Sequence, residues 1–351
     1  MEWPETFWYL VLAAAGTVAT VWVVHGVWHL RGQWRIHRAG PRRLQAIRHR
    51  IWREPPADDG AALRHGPGGS EFVPAPPFRF VEEHLAGSQP CVAVRDARDR
   101  LWRVKWGHEA RPESFAVRVA WACGYFAEVT HYVADGVIDG VGDLSRARAC
   151  IDADGRFCEA RFELEDRSVR MLFDEHSWAW NDNPFIGTRQ LAGLKIVNML
   201  LSNWDTKDRR DVARGSNTAI FEVRTPWGRE ARYLITDWGG AMGKWGSNVV
   251  ARGRWDAAGF EAQTPQFVTG VRDGWVNFGY QGQRTAELAR DIRVEDAAWF
   301  YRRARRLREP ALREVLVACG ATDEEAHAFA RAIVARIRQL GEACGSLPAA
   351  A

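Results

Sequence analysis

The segment Asn183–Asp208 reads NPFIGTRQLAGLKIVNMLLSNWDTKD, an apolar stretch that ends in a strongly polar loop. Leu191, Leu194 and the apolar residues after them recur at helical spacing, so we predict a buried helix that stops before the polar end. A carboxylate just past such a helix can orient the proton of a substrate hydroxyl, and a lysine two residues later can steady a transferring phosphate. Asp205 and Lys207 are therefore candidate catalytic residues. The alternative is a charged helix end followed by a solvated loop.

A second candidate motif follows an apolar strand nearer the C-terminus. The run YLITDWGG delivers Asp237 into a glycine turn. Because Mg²⁺ takes only one or two carboxylates together with phosphate oxygens, an aspartate presented in this way is a candidate metal ligand. We predict that this strand pairs with the preceding NTAIFEV through a turn at Pro226–Gly228. A strand that simply ends in an Asp-containing turn is the alternative.

Two further candidates lie on strand-like segments of the N-terminal half. FRFVEEHL and PCVAVRD flank a turn at Gly87 and Ser88, where a backbone without a Cβ and a hydroxyl donor could approach a bound nucleotide phosphate. The next strand, LWRVKWG, carries Lys105, and Glu113 at the start of the following helix is its predicted partner, with Glu109 as a rival. An ordinary hairpin turn and a surface-edge lysine are the respective alternatives.

The order of the predicted elements indicates two parts. Residues 78–173 are mostly strands with one helix, and residues 174–345 are mostly helical with one small hairpin. Residues 259–283 show no clear period and are predicted as loop. We therefore expect an α+β class and a two-lobed, protein-kinase-like fold, with a β-rich N-lobe and a helical C-lobe.

The quoted motifs also carry a family resemblance. The stretches FVEEHLAGSQP, RVKWGHEARPE, NTAIF and LITDWGGAMG, together with Asn183–Asp208, resemble the atypical branch of the protein-kinase-like superfamily. That branch includes the HipA-like, phosphatidylinositol-kinase and Golgi casein kinase families, and the chain is most similar to uncharacterised bacterial membrane-anchored proteins. The resemblance implies ATP and Mg²⁺ as cofactors. It implies Lys105 as the ATP-phosphate lysine with Glu113 as its partner, and it implies Asp205 as the catalytic aspartate and Asp237 as the Mg²⁺ ligand.

One position departs from the family pattern. Such kinases place a metal-binding asparagine about five residues after the catalytic aspartate, where this chain has Arg210. The next asparagine, Asn217, leads into the strand NTAIF as the expected one would, and we predict it as a metal ligand. Asp208 or Asp211 could substitute. If none of these binds, the site holds one metal, or binds nucleotide without turnover.

The N-terminal region predicts a membrane anchor. Residues 7–30 carry no Asp, Glu, Lys or Arg and, at about 1.5 Å per residue, are long enough to cross a hydrocarbon core of about 30 Å. The arginine-rich residues 31–54 predict, by the positive-inside rule, a cytoplasmic C-terminal domain and extracytoplasmic residues 1–6 at the cell inner membrane. The same arginines could contact anionic lipid headgroups. A buried core helix and a cleaved signal peptide are the alternatives. The remaining predicted boundaries are a Pro/Gly-rich linker at 55–77, the domain at 78–345 and a tail at 346–351.

Composition narrows the class of partner. The formal charge of +4 is largely explained by the basic segment, so we expect no nucleic-acid partner. The six cysteines form no CxxC pair or metal spacing, which agrees with a reducing, cytoplasmic location. Only four of the 48 basic residues are lysine, and Lys105, Lys207 and Lys244 lie in or beside the motifs. No pattern indicates the oligomeric state.

Together these features predict a membrane-anchored kinase that transfers the γ-phosphate of ATP to a hydroxyl acceptor near the membrane. The acceptor could be a protein, a lipid or a small molecule. Two alternatives stay open: a nucleotide-binding pseudokinase or scaffold, which the residue at Arg210 motivates, and an enzyme that transfers AMP instead.

Overall fold

The computed structural model describes residues 47–55, 59–87, 89–166, 169–171, 177–246 and 252–345. Within these ranges the strands are β1 Arg48–Arg50, β2 Phe78–His84, β3 Cys91–Arg95, β4 Leu101–Lys105, β5 Thr130–Asp139, β6 Arg156–Leu164, β7 Val169–Met171, β8 Thr218–Thr225, β9 Gly228–Ile235, β10 Val268–Arg272 and β11 Trp275–Phe278. The α-helices are α1 Asp59–His65, α2 Ala110–Ala122, α3 Arg189–Leu200, α4 Ala257–Gln263, α5 Thr285–Leu288, α6 Val294–Ala304, α7 Glu309–Ala318 and α8 Asp323–Ala343.

Five strands close into a small barrel in the order β2–β3–β4–β6–β5. The other neighbours are antiparallel, and the barrel closes because β2 pairs in parallel with β5, with Phe78 opposite Ile138. Side chains alternate between the two faces of a strand. Trp102, Val104 and Phe162 therefore point into an apolar interior. The residues that directly follow these three along β4 and β6 are charged, and they lie on the outer face of the barrel.

A second, mixed sheet has the order β1–β9–β8–β7. β8 and β9 form the predicted hairpin, with Thr225 opposite Gly228 at its turn. β1 runs parallel to β9. The sheet therefore joins residues from before the barrel to residues from well after it.

Helix α3 lies in the centre of the larger hydrophobic core. Residues 191–200 are all buried, as expected for a helix that is apolar on nearly every side. The Thr188 hydroxyl caps its N-terminus by accepting the Leu191 N–H at 3.2 Å. Gly193 allows the close packing, since a Cβ there would lie 2.1 Å from the Tyr125 hydroxyl. The segment after α3, which carries Asp205, is thus held by a rigid element.

The fold class predicted for the domain, an α+β two-lobed protein-kinase-like fold, is wrong. The described residues form a mixed α/β structure with a closed five-stranded barrel. The parallel β2–β5 junction joins strands far apart in sequence, and the β1–β9 junction does the same. Neither pairing leaves a local periodic signal.

The predicted membrane span, basic segment and linker lie partly inside and partly outside the described residues. None of the helices in the described residues is long and apolar enough to cross a membrane, and the predicted span, residues 7–30, lies outside those residues. Residues 48–50 of the predicted basic segment form β1 instead of lying apart from the domain. In the predicted linker, α1 packs against α2 and α7 and buries Leu63.

The prediction of a loop at residues 259–283 is also wrong. This region contains most of α4 and the antiparallel ribbon β10–β11. The pairing register shifts between Val268 and Gly270, so the alternation that marks a strand is interrupted in the sequence.

Candidate functional site

A cavity of about 450 Å³ lies against the charged outer face of the barrel. Its lining includes four of the predicted residues, Gly87, Lys105, Glu113 and Asp237. Ser88 lies outside the described residues. The β2–β3 turn, the end of β4, helix α2 and the loop after β9 therefore meet at one place, whereas Asp205, Lys207 and Asn217 are not part of this lining.

Hydrogen bonds tie the Asp205 loop to the Asp237 loop. The Met242 N–H donates to the Leu201 carbonyl at 2.7 Å. The Asn203 side-chain amide donates to the Asp237 carbonyl at 3.3 Å. Met242 adopts the left-handed region with a φ of 58°, which is a strained conformation for a residue other than glycine. The two loops thus form one rigid unit beside the cavity.

Asp205 is a buried carboxylate with one oxygen in an ion pair and the other enclosed by protein atoms without a hydrogen-bond partner. Lys207 Nζ lies 3.3 Å from Asp205 Oδ2. Asp205 Oδ1 is buried and has no hydrogen-bond partner among the described residues. Burial raises the pKa of Asp205, and Lys207 opposes that shift. A carboxylate with a raised pKa and an unpartnered oxygen can act as a general base when a substrate hydroxyl reaches that oxygen.

Asp237 and Asn217 each have a side-chain oxygen without a hydrogen bond from the described residues, which makes them candidate Mg²⁺ ligands. The Asn217 side-chain amide donates to the Asp205 carbonyl at 2.7 Å, which leaves its Oδ1 as the atom for a metal. Asp237 Oδ1 accepts the Gly239 N–H at 2.8 Å, so its second oxygen is the one available for a cation. The described residues contain no cluster of three or more His, Cys, Asp or Glu that could hold a metal alone. Mg²⁺ would accordingly take phosphate oxygens as further ligands.

The two rival carboxylates are engaged elsewhere. Arg210 Nε lies 2.9 Å from Asp208 Oδ1, and its guanidinium covers both oxygens of that carboxylate. Asp211 forms an ion pair with Arg284. Arg210 therefore neutralises Asp208, and of the three candidates Asn217 is the one whose side-chain oxygen has no cationic partner.

The predicted Lys105–Glu113 ion pair is not formed. Lys105 Nζ donates to Glu163 Oε2 at 3.1 Å. Arg161 instead pairs with Glu113 at 2.7 Å, and Glu113 also accepts the Trp238 N–H at 3.1 Å. Glu163 lies next to Lys105 on the outer face of the neighbouring strand β6, and this cross-strand neighbour was not recognised in the sequence.

Glu109, the rival partner for Lys105, faces the cavity in another role. Its carboxylate lies 3.4 Å from Arg254. Burial raises the pKa of Glu109, and the negative charge of Asp237 adds to the shift. A cation bound between Glu109 and Asp237 would relieve this repulsion.

Sequence reasoning missed Arg161 and Glu163, although a signal was present. In RFELE, residues 161–165, charged side chains alternate with the apolar Phe162 and Leu164. Such alternation assigns one face to the barrel interior and the other to the cavity. Asn203, which links the two loops, left no comparable pattern.

No protein-family model, curated protein or solved structure matches this chain. The class of site is therefore defined by its own chemistry. It combines a buried carboxylate beside a lysine, two candidate cation ligands, Asp237 and Asn217, and a cavity lined by three cationic and four acidic side chains.

Proposed function

We propose that the chain is an ATP- and Mg²⁺-dependent phosphotransferase that moves the γ-phosphate to a hydroxyl acceptor. The proposal rests mainly on the surroundings of Asp205. Its buried Oδ1 has no hydrogen-bond partner among the described residues, its Oδ2 lies 3.3 Å from Lys207 Nζ, and its loop is hydrogen-bonded to the loop of Asp237. The family resemblance supports the same chemistry, and a site at the cytoplasmic face of a membrane remains a prediction.

In the proposed reaction the triphosphate occupies the cavity beside Lys105 and the Gly87 turn. Asp237 and Asn217 would hold Mg²⁺, which when bound neutralises charge on the phosphate oxygens. Asp205 takes the proton of the substrate hydroxyl while the oxygen of that hydroxyl forms a bond to the γ-phosphorus. The bond from that phosphorus to the bridging oxygen breaks, and ADP leaves. Lys207 stabilises the negative charge on the transferring group.

A second candidate, nucleotide binding without turnover, is favoured by the contact between Lys105 and Glu163. A lysine neutralised by Glu163 is less available to a phosphate oxygen, and Arg161 already occupies Glu113. A chain that kept this arrangement with nucleotide bound would be a sensor or scaffold.

The experiment incubates the full chain with Mg²⁺ and ATP and measures nucleotide binding together with release of ADP and pyrophosphate. We expect ADP release that is lost in Asp205→Asn and Asp237→Asn, with folding confirmed by circular dichroism. Asp154→Asn, at an exposed turn, is the matched control. Binding without release would favour the second candidate, and pyrophosphate release would indicate AMP transfer. Absence of nucleotide binding would refute both nucleotide-dependent functions.

A further inference from the structure

A second group of side chains lies next to Asp205, outside the cavity for the nucleotide. Two backbone hydrogen bonds join Lys244 to Gly253, at 3.1 and 3.0 Å, in an antiparallel bridge. The Trp204 indole N–H donates to the Gly253 carbonyl at 3.0 Å. Because Trp204 immediately precedes Asp205, this bridge is fixed against the start of the catalytic loop.

The bridge presents two arginines on tryptophan rings. The Arg252 guanidinium carbon lies 3.8 Å from the centre of the Trp245 ring, and the Arg254 carbon lies 4.9 Å from the centre of the Trp204 ring. The two indoles contact each other with centroids 5.6 Å apart. Stacking on aromatic faces fixes the plane of a guanidinium and leaves its N–H groups directed outward along its edge.

Arg252 lacks the partner that a protein cation usually has. Among the described residues no carboxylate lies within ion-pair distance of it, and its Nε is buried without a hydrogen-bond partner. Arg254, by comparison, pairs with Glu109. A stacked arginine that is held in place without a counter-ion is arranged to bind an anion from outside the protein.

We propose that Arg252, assisted by Arg254, binds a phosphate group of the acceptor, so that the acceptor is a hydroxyl compound that already carries a phosphate ester. The planar guanidinium matches the geometry of phosphate oxygens and can bind two of them at once. Its position beside Trp204 places the bound anion next to the Asp205 loop, where the acceptor hydroxyl must lie. This inference rests on the proposed function, because it assigns the acceptor of the same site.

The test measures binding of glycerol 3-phosphate to the full chain by isothermal titration calorimetry, with glycerol as the neutral analogue. Each titration is done with and without Mg²⁺ and a non-hydrolysable ATP analogue. Sedimentation with vesicles of phosphatidylglycerol, compared with phosphatidylcholine, distinguishes a lipid source of the phosphate from a soluble one. The variants are Arg252→Gln and Arg254→Gln, and the control is Arg272→Gln, an exposed arginine of β10.

We expect saturable binding of glycerol 3-phosphate or of phosphatidylglycerol vesicles, weakened about tenfold or more by Arg252→Gln, as loss of a charge-assisted pair predicts. Arg272→Gln should bind as the parent does. Equal binding of glycerol, affinity unchanged by Arg252→Gln, or no binding of either phosphate probe would overturn the proposal. Anion binding that depends on Arg252 in a chain without ATP turnover would preserve the anion site and refute only the phosphotransferase.

Discussion

Glu163 reduces the positive charge on the outer face of the barrel, where we propose that a nucleotide binds. It contacts Arg103, Lys105 and Arg161 on the outer face of the barrel. Burial opposes ionisation of Glu163, yet these cations lower its pKa to about 2, so it is a carboxylate at neutral pH. Its negative charge offsets one of the three positive charges that a triphosphate would meet.

Replacement Glu163→Gln should therefore strengthen nucleotide binding. Removal of one buried negative charge raises the potential at Lys105, and we expect the Kd for Mg-ATP to fall by about threefold or more at low salt, with a smaller gain at high salt. Fluorescence titration with a labelled ATP analogue measures the change in Kd. Glu159→Gln, which removes an exposed carboxylate of the same strand, is the control and should have little effect. Weaker binding in Glu163→Gln would show that Glu163 positions Lys105 for the phosphates.

His131 makes stability depend on pH. It is buried on β5, and Arg118 Nη2 lies 3.3 Å from its Nδ1. Burial lowers the pKa of His131 to about 3, with the Arg118 charge adding to the shift. The unfolded chain, in which the histidine keeps a pKa of about 6.5, therefore binds a proton first as pH falls.

We expect the free energy of unfolding to decrease through His131 as the pH falls from about 6.5 towards 3, by up to about 1.4 kcal/mol per pH unit. His131→Gln should reduce this slope, whatever its effect on stability at pH 8. Urea unfolding at several pH values measures this slope, and His108→Gln, at an exposed histidine, is the control. An unchanged slope in His131→Gln would mean that His131 does not titrate differently in the two states.

At the scale of elements, one side chain fastens helix α8 to the end of α3. Arg336 is buried, and its guanidinium donates to the Leu200 carbonyl at 2.9 Å and to the Ser202 hydroxyl at 2.7 Å. It also stacks on Phe260, 3.7 Å from the ring centre. Burial lowers the pKa of Arg336 to about 9. The arginine thus satisfies polar groups at the point where the chain leaves α3 towards Asp205.

Arg336→Met should cost about 3–5 kcal/mol of unfolding free energy, because it leaves several buried acceptors without donors. Arg338→Met, two residues later on the same helix and exposed, should cost less than about 0.5 kcal/mol. Chemical denaturation of both variants tests this. Similar small losses in both would show that water replaces the lost donors.

Elements with a local signal could be predicted, and those defined by distant partners could not. The apolar spacing of residues 191–200 identified α3, and the turn before Gly228 identified the β8–β9 hairpin. The candidate residues were proposed because each stands at or near the end of such an element. Barrel closure by β2 and β5 and the Lys105–Glu163 pair depend on strands that are far apart in sequence. The periodicity of a single segment therefore cannot predict either contact.

At the scale of the whole molecule, the larger core depends on residues that precede the predicted domain start at Phe78. Ile51 and Leu63 are buried in the larger core. Arg50 pairs with Glu230 at 3.1 Å, and the Trp52 indole donates to the Cys123 carbonyl at 3.0 Å. Residues 47–55 and 59–65 therefore belong to the folded unit, and the first of these segments connects β9 to the end of α2.

A chain that begins at residue 78 should be much less stable than one that begins at residue 47. Burial of two large aliphatic side chains alone contributes about 4 kcal/mol, and the shorter chain also exposes the edge of β9. We expect a clear fall in Tm in differential scanning calorimetry, or aggregation on expression. A chain that ends at residue 345 removes none of these contacts and should keep the parent Tm. If the chain from residue 78 unfolded at the same temperature, β1 and α1 would be accessory to a core that folds without them. Assays of phosphate transfer should therefore keep residues 47–77, since α2 carries Glu113 and the end of that helix is held by Trp52.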